Sequence, residues 1–294
     1  MFHGSIVALV TPFKNGEIDE AKLRELVEFQ ISNGTAGIVP CGTTGESATL
    51  SHQEHCKVIE IVINQVNKRI PVIAGAGSNS TKETIFLTEH AKNVGADAVL
   101  LITPYYNKPT QNGLYEHFKH VAENVNIPQI LYNVPSRTGV NMLPDTVTKL
   151  SNIKNIVGIK EASGDVDQAS LIIKNTDDNF IVLSGEDSLT YPLMSIGAKG
   201  VISVVTNIAP DKMSDLCNAT LNKEFDKAKN LHYELFDLFK TVFIETNPIP
   251  VKEALYMMGL IGDEIRLPLV KMADTNREKL KDVLKKLNIK IVNG

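Results

Sequence analysis

Eight short apolar runs recur along the chain, each ended by a loop and alternating with stretches of helical spacing. The first, Ser5–Val10, is closed by Thr11-Pro12, where proline disfavours helix in the residue before it. Ala36–Val39, Pro71–Ala74, Ala98–Ile102, Gln129–Tyr132, Ile156–Lys160, Phe180–Leu183 and Val201–Ser203 follow. Between them lie amphipathic stretches. Ala21–Ile31 carries Leu23, Leu26, Val27 and Ile31 on one face and stops at Asn33-Gly34. A second helix behind Ser51 carries Val58, Ile59, Val62 and Val66, and Thr81–Val94, Leu114–Val125 and Asp145–Leu150 come next. Further helices follow Asp165 and run through Leu193 and Met194.

Strands too apolar to alternate are buried on both faces, and eight β-then-α units in a row predict an α/β chain closed into a (β/α)8 TIM barrel. An open doubly wound sheet is the alternative, but no glycine fingerprint follows the first strand. The units extend to about residue 224; beyond lie helical patterns over Glu224–Phe243, Val251–Met258 and Arg277–Leu287. We expect a catalytic barrel over 1–224 and a helical C-terminal extension over 225–294, with no flexible linker between them.

Composition narrows the function classes. A formal net charge of -4 and the lack of any basic run argue against nucleic acid as a partner. The 3 cysteines, Cys41, Cys56 and Cys217, are far apart, which suits a reducing compartment rather than a disulfide scaffold. The run Ile6–Val10 has no basic region before it and is too short for a signal core or a membrane span. A cytoplasmic protein with no membrane contact is the expectation.

In a barrel of this kind the chemistry gathers at the C-terminal ends of the strands. Those ends carry Thr43, Thr44, Tyr105, Tyr106, Tyr132, Arg137, Lys160, Gly185 and Asn207, whereas the opposite loops carry turn residues such as Asn33-Gly34 and Gly95. Lys160 stands out. A buried strand has no structural use for an ammonium at its tip, because desolvating a charge is costly, and a desolvated lysine amine is a nucleophile toward carbonyls. The set suggests imine chemistry on a keto acid, with tyrosine and threonine hydroxyls as proton carriers. Arg137 and the backbone N–H groups of Gly42-Thr43-Thr44-Gly45 are candidate carboxylate anchors. Such a route needs no cofactor and no metal.

The motifs G-T-T-G-E at Gly42–Glu46, P-Y-Y-N-K-P at Pro104–Pro109, Y-N-V-P-S-R-T-G at Tyr132–Gly139 and G-I-K-E-A at Gly158–Ala162 stand in order. With G-V-I-S-V at Gly200–Val204 and N-P-I-P-V-K at Asn247–Lys252, the chain resembles the dihydrodipicolinate synthase family of pyruvate-dependent lysine-imine aldolases, essentially end to end. The resemblance implies that Lys160 forms the imine with pyruvate and that Tyr132 donates and accepts protons beside it. Thr43 and Tyr106 would complete a relay, Tyr106 coming from a neighbouring subunit of a homotetramer. Thr44 and the backbone of Ile202 would hold pyruvate, Arg137 would take the carboxylate of L-aspartate 4-semialdehyde, and Gly185 would also touch substrate. The implied reaction is condensation to 4-hydroxy-2,3,4,5-tetrahydrodipicolinate, the first committed step toward diaminopimelate and lysine. Sialic-acid and keto-sugar-acid lyases are the alternative within the superfamily, disfavoured by the S-R-T-G segment, and a non-catalytic oxo-acid or amino-acid sensor is the alternative outside it.

The family also implies an allosteric lysine site at Ser47, Ala48, His52, His55, Asn79, Glu83 and Tyr105. From the residues alone, His52 and His55 read either as a solvated helix start or as two metal ligands lacking a third. Cys41 reads as a small buried apolar residue rather than a nucleophile.

Overall fold

The computed structural model describes residues 2–293. Its eight barrel strands are β1 Gly4–Ala8, β2 Gly37–Val39, β3 Ile73–Gly75, β4 Ala98–Ile102, β5 Gln129–Asn133, β6 Ile156–Glu161, β7 Ile181–Ser184 and β8 Gly200–Ser203. The helices that follow them are α1 Glu20–Ser32, α2 His52–Val66, α3 Thr81–Asn93, α4 Gln111–Asn124, α5 Pro144–Ser151, α6 Val166–Asn175, α7 Thr190–Ser195 and α8 Pro210–Leu221. The extension supplies α9 Phe225–Thr241, α10 Ile249–Met257 and α11 Asp274–Lys286. All pairings in the eight-stranded sheet are parallel, in the order β2-β1-β8-β7-β6-β5-β4-β3. An Ile38–Val72 bridge joins β2 to the start of β3 and closes the barrel.

The helix starts follow from their caps. Asp19 accepts from the Lys22 amide at 3.1 Å, and Ser51 and Glu54 form a reciprocal capping box at the head of α2. Two local features lay outside the sequence reading. Phe13–Lys14 and Glu17–Ile18 form a hairpin about Asn15-Gly16, both with positive φ, which is the turn that an Asn-Gly pair favours. Pro135–Thr138 makes one helical turn, closed by Gly139 at φ +71°, where a plain loop was expected.

Apolar side chains divide by strand parity into two layers. Ile6, Ala8, Val39, Leu100, Ile130, Leu183 and Ile202 fill the barrel, and their neighbours Val7, Ile38, Val99, Leu131 and Val182 pack outward against the helices. That outer layer continues without a break into Leu235, Leu255 and Leu280 of the extension.

One irregularity matters more than the rest. Gln129 pairs with Ile156, but Ile130 pairs with Gly158, so β6 holds one extra residue against β5. Ile156 faces outward, and regular alternation from it would send Lys160 outward too. The bulge reverses the parity, so that Ile159 packs outward and Lys160 points into the barrel beside Tyr132. Gly158 is required here, because a Cβ would stand 2.4 Å from the Ile181 carbonyl oxygen.

Candidate active site

Lys160 and Tyr132 lie directly opposite each other in the β5–β6 register, near the C-terminal ends of their strands. Lys160 is only 6% exposed, and its Nζ sits 4.2 Å from the centre of the Tyr132 ring. Among the described residues it makes no salt bridge, so the amine is held by packing and by the π face rather than neutralised by a carboxylate. Gly185 forms one wall: a Cβ there would lie 2.5 Å from the Ala162 Cβ and 3.1 Å from Lys160 Cγ and Cε.

These residues open onto a cavity of about 650 Å³, large enough for a pair of small metabolites. Thr43, Thr44 and Arg137 line it, and Phe243–Asn247 from the extension close its rim. The Gly42–Glu46 loop is a tight turn between Cys41 and Glu46, both at positive φ. It spends the Gly45 amide on Gly42 O at 3.1 Å and the Glu46 amide on Thr43 O at 3.1 Å. Among the described residues the Gly42, Thr43 and Thr44 amides have no partner, so the expected anion cradle narrows to those three. Thr44 Oγ1 accepts from Asn247 Nδ2 at 3.0 Å. Arg137 donates through Nη2 to Asn247 O at 3.1 Å and makes no ion pair among the described residues, leaving its other N–H groups for a ligand.

Residues 1–287 match the profile of the dihydrodipicolinate synthetase family. The chain belongs to that family. A relative from Syntrophus aciditrophicus, the 4-hydroxy-tetrahydrodipicolinate synthase, is 61% identical over 97% of this chain and 98% of its own. The dihydrodipicolinate synthase of Aquifex aeolicus superposes with a TM-score of 0.98 at 54% identity, covering 99% of this chain and 100% of its own. The Acinetobacter baumannii synthase, solved with pyruvate, has a TM-score of 0.97 at 52% identity over 98% of this chain and 100% of its own. The Cyanidioschyzon merolae enzyme, solved with lysine bound, has a TM-score of 0.96 at 38% identity over 98% of this chain and 99% of its own.

Not every expected residue of this family member reaches the cavity. Ile202 is buried in the barrel interior and is not part of the lining. Tyr106 is 90% exposed at φ +71° and touches neither cavity of this chain. A second cavity of about 420 Å³ shares Thr43, Tyr132 and Arg137 with the first. Ser47, Ala48, His52, His55, Glu83 and Tyr105 line it, and Asn79 stands behind, donating through Nδ2 to Tyr105 O at 3.1 Å. His55 corrects the reading of a solvated helix start: it is buried, with Nε2 2.7 Å from Gly75 O, and burial lowers its pKa. His52 is exposed and pairs with Glu83, whose carboxyl is held below its ordinary range by Ser78 and by His52.

Four features escaped sequence reasoning. Asn247 bridges Thr44 and Arg137 although it lies far along the chain, and its motif gave no sign of that contact. Asp187, fully buried, accepts from Ser203 Oγ and from the Val204 amide at 3.1 Å; burial pushes its carboxyl up, against the pull of those bonds and of the Lys160 charge. Glu46 and Lys252 form a buried ion pair at 2.5 Å. Glu161 anchors a polar network on the outer side of β5 and β6.

Proposed function

We infer that this protein is a lyase that condenses pyruvate with L-aspartate 4-semialdehyde to 4-hydroxy-2,3,4,5-tetrahydrodipicolinate, as a 4-hydroxy-tetrahydrodipicolinate synthase. The observation that carries the reading is a buried lysine, without a salt bridge among the described residues, in register with a tyrosine at the mouth of a barrel whose whole length matches the family. The Lys160 amine attacks the keto carbon of pyruvate, and loss of water leaves an imine. The protonated imine acts as an electron sink, so a methyl proton departs and the resulting enamine carbon attacks the aldehyde. The substrate's own amine then closes the ring on the imine carbon and displaces Lys160, restoring the free amine.

Each proton transfer needs a group within reach that does not bring in a net charge, and the Tyr132 hydroxyl meets that need, with Thr43 lining the same cavity. Thr44 and the free amides of its loop suit the pyruvate carboxylate. Arg137, with N–H groups to spare at the rim, suits the carboxylate of the incoming aldehyde. Treatment with pyruvate and borohydride should fix a three-carbon adduct on Lys160, read by peptide mass spectrometry. An unmodified Lys160 would sink the mechanism. Activity with aspartate semialdehyde and none with sugar-derived aldehydes is the companion expectation.

Two partners belong to the same reading. L-Lysine suits the second cavity, where Glu83 offers a carboxylate to an ammonium and the cavity wall is shared with Thr43 and Tyr132. Feedback inhibition follows, and activity unchanged in millimolar lysine would remove it. Exposed Tyr106 reaches a relay only from a second copy of the chain, in a dimer of dimers. No helix among the described residues is long and apolar enough to cross a membrane, and a cytoplasmic location accords with an enzyme of amino-acid synthesis.

A further inference from the structure

Behind the catalytic pair, on the opposite side of the same two strands, lies a closed set of polar side chains. Asn133 follows Tyr132 and Glu161 follows Lys160, and the two are themselves paired in register. Strand alternation therefore turns them outward, toward the helices, as it turns Tyr132 and Lys160 inward. Glu161 is 2% exposed, and its carboxylate accepts from the Ser163 amide at 2.7 Å, from Asn133 Nδ2 at 3.1 Å and from Gln168 Nε2 at 3.3 Å. Burial pushes the Glu161 carboxyl up, and those three bonds pull it down. No cation pairs with it among the described residues, so hydrogen bonds alone hold it.

The network continues into the loop that carries Arg137. Asn133 Nδ2 also donates to Asn141 Oδ1 at 2.7 Å, and Asn133 Oδ1 accepts from the Met142 amide at 2.9 Å. Asn141 and Gln168 exchange two further bonds, at 2.8 and 3.1 Å. Each amide is oriented by its neighbours, so the direction of every bond is set by the carboxylate at one end. The one-turn helix Pro135–Thr138 thus hangs between β5 and residues 141–142, and both of its attachments lead back to Glu161. Its other ties are the bond from Arg137 to Asn247 O at 3.1 Å and, at its far end, the bond from Gln111 Nε2 to Asn141 O at 2.8 Å.

We propose that Glu161 is a positioning residue that fixes the Arg137 loop through Asn133 and Asn141, and so sets recognition of the second substrate's carboxylate. The proposal rests on the reading that Arg137 binds that carboxylate. Glu161→Gln is the sharpest probe, because every group facing the carboxylate is a donor and an isosteric amide must point its own N–H at one of them. Lys160 is held by its strand and by the Gly185 wall, so imine formation should survive the change.

The experiment compares wild type, Glu161→Gln, Asn141→Ala and Arg137→Ala in steady-state assays and in borohydride trapping with pyruvate. For Glu161→Gln the KM for aspartate semialdehyde should rise at least tenfold, while the KM for pyruvate and the trapping of Lys160 change less than threefold. Asn141→Ala, which removes the side-chain links from residue 141 to Asn133 and Gln168 but leaves the carboxylate three donors, should show the same split and covers the case in which Glu161→Gln does not fold. Equal losses in both KM values, in kcat and in trapping, or an aldehyde KM within twofold of wild type in a folded variant, would overturn the proposal. If Arg137→Ala itself leaves the aldehyde KM unchanged, the underlying reading of Arg137 fails instead.

Discussion

Lys160 owes its place to contacts that a strand pattern cannot express: the face of Tyr132 on one side and the bare backbone of Gly185 on the other. Burial has a second consequence at the residue scale, at His117. This side chain is 7% exposed between α3 and α4, with Nδ1 2.9 Å from Thr81 Oγ1, and burial lowers its pKa to about 4 from 6.5. The folded state keeps the neutral ring while the unfolded chain gains a proton as pH falls below 6.5, so stability is full above 6.5 and is lost as pH falls through about 4. The loss from this one group is at most about 3 kcal/mol. Urea midpoints at pH 7 and pH 5 should show it, and His117→Gln should flatten the difference. An unchanged pH slope in that variant would assign the acid sensitivity elsewhere.

Among the elements, the extension is bound to the barrel by charge as well as by apolar packing. Lys252 on α10 donates to Glu46 Oε1 at 2.5 Å and to Thr11 O at 3.1 Å, and the Arg266 amide takes Glu46 Oε2 at 3.2 Å. Phe13 meets both cations, its ring centre 4.5 Å from Lys252 Nζ and 4.2 Å from the Arg266 guanidinium carbon. Burial pulls the Lys252 pKa down and Glu46 opposes it. Removing one partner of such a pair strands the other charge, so Lys252→Met should destabilise by about 3–5 kcal/mol in denaturant titration. Adding Glu46→Gln should recover part of that loss, since a neutral pair strands no charge; a double variant no more stable than the single one would refute the pairing. The helices of the extension follow their sequence patterns to within a few residues: α9 runs Phe225–Thr241 where Glu224–Phe243 was expected. That its connecting segment Phe243–Asn247 would form part of the active-site rim was not legible, because no local pattern encodes a contact about two hundred residues away.

At the scale of the whole molecule, Tyr106 stands apart from both cavities of its own chain. It is the most exposed large apolar side chain of the chain's described residues, at 90%, and Tyr105 beside it lines the second cavity. A relay completed by another copy predicts complementation between variants. Tyr106→Phe and Lys160→Met chains should each be nearly inactive alone, and mixed oligomers should regain activity, because one site then holds an intact lysine and an intact partner tyrosine. Activity that stays absent in mixtures shown by sedimentation to be mixed, or full activity in Tyr106→Phe alone, would exclude this arrangement.

The alternation of apolar runs and helical faces determined the (β/α)8 architecture, since each strand's period and each helix stripe are local properties. The motif residues at the strand ends were equally legible, because in a parallel barrel the chain direction alone decides which loops share a face. Tertiary structure decided the rest. An unforeseen extra residue in β6 turns Lys160 inward, and only the pairing of β6 with β5 reveals it. The lysine that the sequence placed at a strand end became a residue inside a cavity because register belongs to two strands together and cannot be read from one.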